Sequence, residues 1–366
     1  MTKLLRAPIP TVDRLLLREL VQLFIATLGG VVLLYQVIDF ADRGSGYHVE
    51  RFGMASALIE LYADKAAVVV LQLAPGALVI SVALLLAQLD RRGELTALLS
   101  IGLRPRRLAV PISAFALLLG GGMILLQENV VVHADARAEE ITAVLFHHWN
   151  DYGAWHAQKH WVRGKERRFF LLGERRGEGF EPASVFELEE PFHLVRRLDG
   201  RRLEQVDNGR WRLLDAVERR YGKDEIAETK AGEIPLALPD RLEDLALRSG
   251  RPRQLPWSDL RQQAVLRAAV GQPDIEYRIT IWERLAQPIL PLAAALAAFA
   301  LTLRRRRGKP RPPTLASALA LALVLVLGLW ALSVVAHAAA VGGTIAPPLA
   351  AALPLAACAL LTLAAL

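Results

Sequence analysis

The sequence predicts an α-helical membrane protein with six transmembrane helices and one inserted all-β domain outside the cytoplasm. Of its 366 residues, 53% are hydrophobic and 22% are charged. The mean hydropathy of +0.30 is too high for an ordinary soluble chain of this length. Six apolar runs are long enough to cross a bilayer, and a long polar region with hairpin signals separates the third run from the fourth.

The six predicted spans follow from the length of the apolar runs. A transmembrane helix needs about 20 residues, because each residue rises only about 1.5 Å and lipid cannot satisfy exposed backbone groups. The first run is longer than the apolar core of a signal peptide and lacks a clear cleavage site, so we expect it to remain as a span. The predicted spans are residues 20–40, 66–89, 108–126, 285–303, 314–337 and 347–366.

Loop charges predict the orientation of these spans, because short loops rich in Lys and Arg stay in the cytoplasm. Basic residues precede span one and fill the loops after spans two and four, whereas the loop 338–346 carries no charge. We therefore expect both termini inside and residues 128–283 outside, since long domains are translocated regardless of charge. The domains are then 1–127, with spans one to three, 128–283, and 284–366, with spans four to six. The basic residues are Lys3, Arg6, Arg14 and Arg18; Arg91, Arg92, Arg104, Arg106 and Arg107; and Arg304, Arg305, Arg306, Arg307, Lys309 and Arg311.

The outer region is predicted to be mostly β. Residues 134–148 continue span three as a helix, and short apolar runs broken by turn residues begin near Gly153. Asp-Gly and Asn-Gly pairs are typical of type I′ hairpin turns. A sheet with one apolar face must fold back as a sandwich or jelly roll, and a helix at 257–270 leads to span four. The predicted strands are 169–172, 185–188, 192–198, 201–206 and 210–214, with Asp199-Gly200 and Asn208-Gly209 as turns.

No catalytic motif accompanies this architecture. Gly164-Lys165 and Gly222-Lys223 lack the upstream glycine spacing of a phosphate loop and precede acidic residues, so we expect no ATP hydrolysis by this chain. No G-x-S-x-G elbow or H-E-x-x-H helix occurs. The sequence thus favours a non-enzymatic membrane component without a cofactor.

Histidines and the single cysteine do not indicate a site. His156 and His160 are four residues apart, with His147, His148 and His193 elsewhere in the domain. Their segment has strand or loop character, which favours surface or packed histidines over a metal site. Cys358 lies in the last apolar run as a small buried hydrophobe.

Nucleic acid is not an expected partner. The net charge of +7 comes from basic residues at the ends of apolar runs, where membrane orientation explains them, rather than on a polar surface with interleaved aromatics.

The loop after span two contains a short amphipathic pattern at 92–103. Leu95, Leu98, Leu99 and Leu103 recur at helical spacing, Glu94 suits the positive N-terminal end, and Gly102 suits a stop. Such a helix either docks on a partner protein or lies on the lipid interface with its arginines on headgroups.

The chain resembles the LptF/LptG permease family, and LptG more closely than LptF. The resemblance covers nearly the whole chain and rests on the order and spacing of motifs that are weak individually. These are Val12-Asp13-Arg14, Asp39-Phe40-Ala41-Asp42, Arg92-Gly93-Glu94-Leu95 through Ser100-Ile101-Gly102, YRITIWERLAQP at 277–288, and Pro347-Pro348 through Leu353-Pro354.

The resemblance implies a permease subunit of the ABC complex that extracts lipopolysaccharide from the inner membrane. It implies a sister permease (LptF-like), a cytoplasmic ATPase dimer (LptB-like), and a periplasmic bridge (LptC-like or LptA-like) that receives the lipid from a periplasmic jelly roll. The loop would be the ATPase-coupling helix, and spans one and five would form a lateral gate. The residues implied are Arg92, Glu94, Leu95, Leu98, Leu99 and Gly102 for coupling; Tyr35, Asp39, Arg43, Trp330 and His337 for the gate; and Phe170 and Phe186 for the periplasmic groove.

The sequence departs from the family where basic residues of span one would meet the lipid phosphates. Asp39 stands where a lysine can occur, and Gly44-Ser45-Gly46 replaces a more basic stretch. Arg43 is the nearest remaining cation.

Two other functions fit parts of the pattern. A lipoprotein-releasing ABC permease would carry its domain after the first span and have four spans in all, so the span count discriminates against it. A membrane-anchored envelope sensor or assembly factor would bind a partner through its β domain without transport, and would not co-purify with a cytoplasmic ATPase.

Overall fold

The computed structural model describes residues 11–43, 54–147, 160–164, 166–190, 193–207, 209–222, 226–240, 242–245, 251–269, 273–306 and 314–365. The chain divides into a helical unit, drawn from 1–139 and 279–366, and a β unit, drawn from 140–278.

The helical unit contains the predicted spans. Within the described residues, five helical segments are long and apolar enough to cross a membrane, and they coincide with predicted spans one, two, three, five and six. The helices of this unit are α1 (Thr11–Arg43), α2 (Met54–Arg91), α3 (Glu94–Ser100), α4 (Pro105–Leu126), α5 (Val132–His147), α8 (Ile275–Ala286), α9 (Leu290–Arg306), α10 (Leu315–Val341) and α11 (Pro347–Ala365).

The predicted fourth span is broken. Helices α8 and α9 meet at an angle of 55°, and they count as a sixth span only when the pair is taken together. The break at 287–289 contains Pro288, and Pro291 follows in the first turn of α9. A proline lacks the backbone N–H of a helix and its ring clashes with the preceding turn. Two prolines so close together favour a break here, although single prolines lie inside the continuous helices α2 (Pro75) and α4 (Pro111).

Helix α2 forms the centre of the helical unit. Of its most apolar stretch, 61% of the residues are buried, against 6% in α1 and 17% in α10. Alanines of α9, including Ala294, Ala297 and Ala298, pack in the same core as Leu78 and Leu85 of α2, because small side chains permit close helix contact. Helices α1 and α10 leave wide surfaces for lipid or a partner subunit.

Helix α4 continues past the apolar run, as the sequence predicts for 134–148. A π-helical turn, Gln127–Val131, joins it to α5, which ends at His147. His148 lies outside the described residues.

The β unit contains one antiparallel sheet. Its order follows the chain, because β4 and β5 act as one strand: Ala183 pairs with Gly200 and Phe180 with Leu203 in one unbroken register. The elements are β1 (His160–Arg163), β2 (Arg168–Arg176), β3 (Gly179–Glu189), β4 (His193–Gly200), β5 (Arg202–Asp207), β6 (Arg210–Tyr221), β7 (Ile226–Ala237), α6 (Leu242–Leu245) and α7 (Trp257–Ala269).

The predicted hairpin at Asp199-Gly200 is wrong. The strand passes through these residues and stays paired with both neighbours. A Cβ at Gly200 would lie 2.5 Å from the Leu213 side chain, so this glycine permits a close approach between strands rather than a turn. The Asn208-Gly209 hairpin is confirmed, since β5 and β6 pair on either side of it and Gly209 has φ +79°; Asn208 itself lies outside the described residues.

The sheet has an irregular line that crosses five strands. The registers place Gly173, Pro182, Arg201, Asp215 and Gly232 opposite one another. The alternation of buried residues changes across this line. Leu198 and Leu203 are both fully buried, although residues five positions apart in a regular strand point to opposite faces. Buried side chains on both sides of this line nevertheless belong to one apolar core.

Candidate functional site

The loop between α2 and α4 carries the predicted coupling helix, observed as α3. Gly93 and Gly102, at its two ends, have φ +75° and +88°, which only glycine adopts without strain. Helix α3 ends at Ser100, so Gly102 follows its last turn, as the sequence predicts.

The leucine face of α3 turns towards the chain's own core. Leu95 is 1% exposed, and Leu98 and Leu99 pack partly buried against the same core. The open face carries Thr96, Ala97, Ser100 and Ile101. Since Ile101 is 83% exposed, it offers more apolar surface to a partner than the leucines that the sequence indicated.

Both ends of this loop are joined to α1 by ion pairs. Arg92 lies 2.8 Å from Glu19, and Arg107 lies 2.5 Å from Asp13. Glu94 is half-buried. Among the described interactions, no hydrogen bond or ion pair joins it to Arg92. The sequence offered only a weak signal for the pairs, the acidic residue in Val12-Asp13-Arg14.

The C-terminal end of α1 holds a compact charge cluster around Asp39. Its carboxylate is 2.6 Å from the Lys65 ammonium of α2 and 3.2 Å from the Arg43 guanidinium, and the Tyr62 hydroxyl donates to it at 3.3 Å. Asp39 is 9% exposed, so it faces α2 rather than the surroundings. Lys65 is a second cation near the predicted gate that sequence reasoning missed.

The remaining gate residues lie on different surfaces. Tyr35 is exposed on α1 and Trp330 on α10, and no ring contact joins them within the described part of the chain. His337 Nδ1 is 2.7 Å from a Glu283 carboxylate oxygen of α8. The His337 imidazole therefore already has a hydrogen-bonding partner within the chain.

Phe170 and Phe186 do not share a groove. Phe186 pairs with Phe169, which places it on the opposite face from Phe170. Phe170 is fully buried in the core of the β unit, whereas the Phe186 ring lies 5.0 Å from that of Trp161 and under the Arg197 guanidinium. The expectation that both phenylalanines point inwards is corrected by this alternation.

On the face of the sheet that bears the core, charged side chains lie beyond the apolar residues at one end of the strands. Arg196 Nε donates to Glu218 at 2.8 Å and Arg220 Nε donates at 2.5 Å. Burial raises the pKa of Glu218, but the hydrogen bonds from Arg220 and Arg196 outweigh it and hold the pKa below its ordinary value. The carboxylate is thus kept ionised at the end of an apolar surface.

The described residues contain no group of three or more His, Cys, Asp or Glu side chains placed to hold a metal. His156, one of the two histidines that suggested such a site, lies outside the described residues.

Comparison with known proteins identifies the family. A comparison with individually curated proteins found no significant match. The family model described as lipopolysaccharide export system permease LptF/LptG matches residues 14–366, which include the α3 loop, both groups of spans and the β unit. The chain therefore belongs to the LptF/LptG family of lipopolysaccharide export system permeases.

Proposed function

We propose that this chain is the LptG-like transmembrane subunit of an ABC exporter that extracts lipopolysaccharide from the inner membrane. It works with a sister permease and a cytoplasmic ATPase dimer, and it passes the lipid to a periplasmic bridge. Both termini are cytoplasmic and the β unit is periplasmic. The family match over 14–366 carries this proposal.

The surface that contacts the ATPase is the open face of α3, centred on Ile101. Its leucines fix the helix to the permease core, and its small residues Ala97 and Ser100 let a partner approach closely. Burying an exposed isoleucine stabilises an interface by about 1.5–3 kcal/mol, enough for one anchor residue to dominate a small contact. Glu94 adds a charge at the edge of this face.

The coupling experiment compares two exposed isoleucines. Ile101→Asp should reduce recovery of the ATPase with the purified permease pair by at least roughly tenfold, and Glu94→Arg should weaken it less. The matched control is Ile226→Asp, because Ile226 is 64% exposed at the start of β7 in the β unit. Full ATPase recovery and lipid-stimulated hydrolysis with Ile101→Asp would contradict the assignment.

The lipid path runs from α1 and α10 to the interior of the β unit. Tyr35 and Trp330 offer exposed aromatic surface on the two least buried spans, where aromatic side chains suit the membrane interface. Arg43 and Lys65 supply cations near the outer end of α1, as a phosphorylated lipid requires. His337 and Asp39 act by holding neighbouring helices in place.

Photo-crosslinkers at positions 35, 330, 170 and 186 test this path in membranes that contain the whole complex. Positions 35 and 330 should capture lipopolysaccharide without ATP, and position 170 should capture it only during hydrolysis, because its side chain is buried until lipid enters. Position 186 is the control on the opposite face of the sheet. Capture at 186 but not at 170 would exclude the interior route, and capture at none of the four positions would exclude this lipid path.

A further inference from the structure

Two ion pairs join the α3 loop to α1, and we infer that they couple movement of the loop to this span. Asp13 and Glu19 are the residues of α1, and Arg107 and Arg92 are their partners at the two ends of the loop. All four are positioning residues, since they act through the helices that they connect. The inference rests on the proposed role of the α3 loop in receiving movement from an ATPase.

The geometry constrains α1 in two ways. Asp13 and Glu19 are six residues apart in sequence, so they lie about 9 Å apart along the helix and point about 120° apart around it. Two contacts at different heights and directions oppose both sliding and rotation of the helix.

Apolar packing lies between the two pairs. Leu16 and Leu20 of α1 are 4% and 0% exposed, and they belong to the same core cluster as Leu95 of α3 and Leu108 of α4. The apolar contact holds the elements together but has no preferred direction. The ion pairs, with their directional hydrogen bonds, determine which way α1 turns when α3 moves.

The far end of α1 makes a further connection. The helix runs from Thr11 to Arg43 without interruption, a length of about 50 Å. Near its outer end, Asp39 is bonded to Lys65 of α2. A rotation imposed at Asp13 and Glu19 is therefore carried to the charge cluster around Asp39, where the proposed lipid path begins.

The pairs can be altered without loss of the fold. The arginine side chains are 40% and 50% exposed, and partly exposed ion pairs contribute little to stability because water screens them. Their removal should therefore separate coupling from folding.

The test uses charge reversal in the complete complex of permeases and ATPase in lipid. Asp13→Arg and Glu19→Arg should each preserve assembly and keep ATP hydrolysis within about twofold, while lipopolysaccharide released per ATP falls roughly tenfold. The charge-swapped pairs, Asp13→Arg with Arg107→Asp and Glu19→Arg with Arg92→Glu, should restore most of that release. Arg91→Glu is the control, because Arg91 is an exposed neighbour of Arg92 with no described ion pair.

The outcomes are separable. If the wild-type chain binds no ATPase or releases no lipopolysaccharide, the proposed function fails before this inference is reached. If the wild type transports and the single reversals transport equally well, the coupling role is overturned. Where a single reversal prevents folding, the swapped pair decides: restored release supports the inference, and a folded but uncoupled swap overturns it.

Discussion

Two charged side chains in or beside the spans, one on α8 and one on α2, form ion pairs within the chain. Arg284 on α8 is 7% exposed and lies 3.2 Å from Glu128, while Asp64 on α2 lies 3.2 Å from Arg137. An unpaired charge at membrane depth is costly, so a pair lowers the cost of keeping it. The sequence could identify these charges as anomalies, but their partners are far away in the chain and could not be read from spacing.

The β unit should lose stability in acid through Glu218. Because its pKa is below the ordinary value of 4.5, the stability it contributes is fully present above pH 4.5 and is lost as the pH falls through the lower, folded value. Thermal unfolding of the full chain in detergent at stepped pH should show this loss. Glu218→Gln should be less stable above pH 4.5 and should show a flatter dependence below it.

A second carboxylate provides the control for this measurement. Glu189 is exposed at the end of β3, so Glu189→Gln should leave the acid dependence unchanged. An identical pH profile for Glu218→Gln and the wild type would show that the two arginines do not stabilise the carboxylate.

At the scale of helices, apolar length predicted the spans well and their continuity less well. The run 285–303 was long enough for one helix, yet Pro288 and Pro291 divide it into α8 and α9. Apolar length indicates whether a segment can cross a membrane, whereas a break depends on whether the backbone around each proline can be accommodated in the helix.

The central strands could be predicted from sequence because each buries one face and therefore contains a short apolar run. Strand β7 was missed because most of its side chains are exposed at the sheet edge, which leaves little apolar alternation. Gly200 was assigned to a turn because an Asp-Gly pair is typical of hairpins, but a glycine in a strand can also permit a close approach between strands. Only the neighbouring strand, with Leu213 beside Gly200, reveals which one applies.

Gly120 on α4 permits a close contact with the break between α8 and α9. A Cβ at this position would lie 2.1 Å from the Pro288 carbonyl oxygen, so Gly120→Ala must displace a backbone. We expect a loss of about 1–3 kcal/mol, seen as a lower melting temperature of the detergent-solubilised chain.

The neighbouring glycines are matched controls for that substitution. A Cβ at Gly121 or Gly122 would meet nothing within 4 Å, so alanine there should be neutral or stabilise the helix by about 0.5–1 kcal/mol. Equal melting temperatures for the variants at 120 and 121 would contradict the close approach of α4 to Pro288.

For the whole molecule, the order of the spans and the inserted β unit followed from sequence, but the positions of the exposed functional surfaces did not. The leucine spacing at 92–103 correctly indicated a helix with one apolar face. The spacing did not show that the core of the chain itself covers this face and leaves Ile101 exposed to solvent. Likewise, the family resemblance implied that Phe170 and Phe186 both line a groove, but the register that separates them depends on pairing between strands.

The orientation of the molecule follows from whether α8 and α9 together cross the membrane. If they do, the basic segment around residue 308 is cytoplasmic, whereas Gly177 and Gly343 are outside. Single cysteines at these three positions, in a Cys358→Ala background, can be labelled in intact spheroplasts with an impermeant maleimide. We expect labelling at 177 and 343, and labelling at 308 only after the membrane is permeabilised. If α8 and α9 fold back without crossing, residues 177 and 308 lie on the same side, and their labelling would be alike.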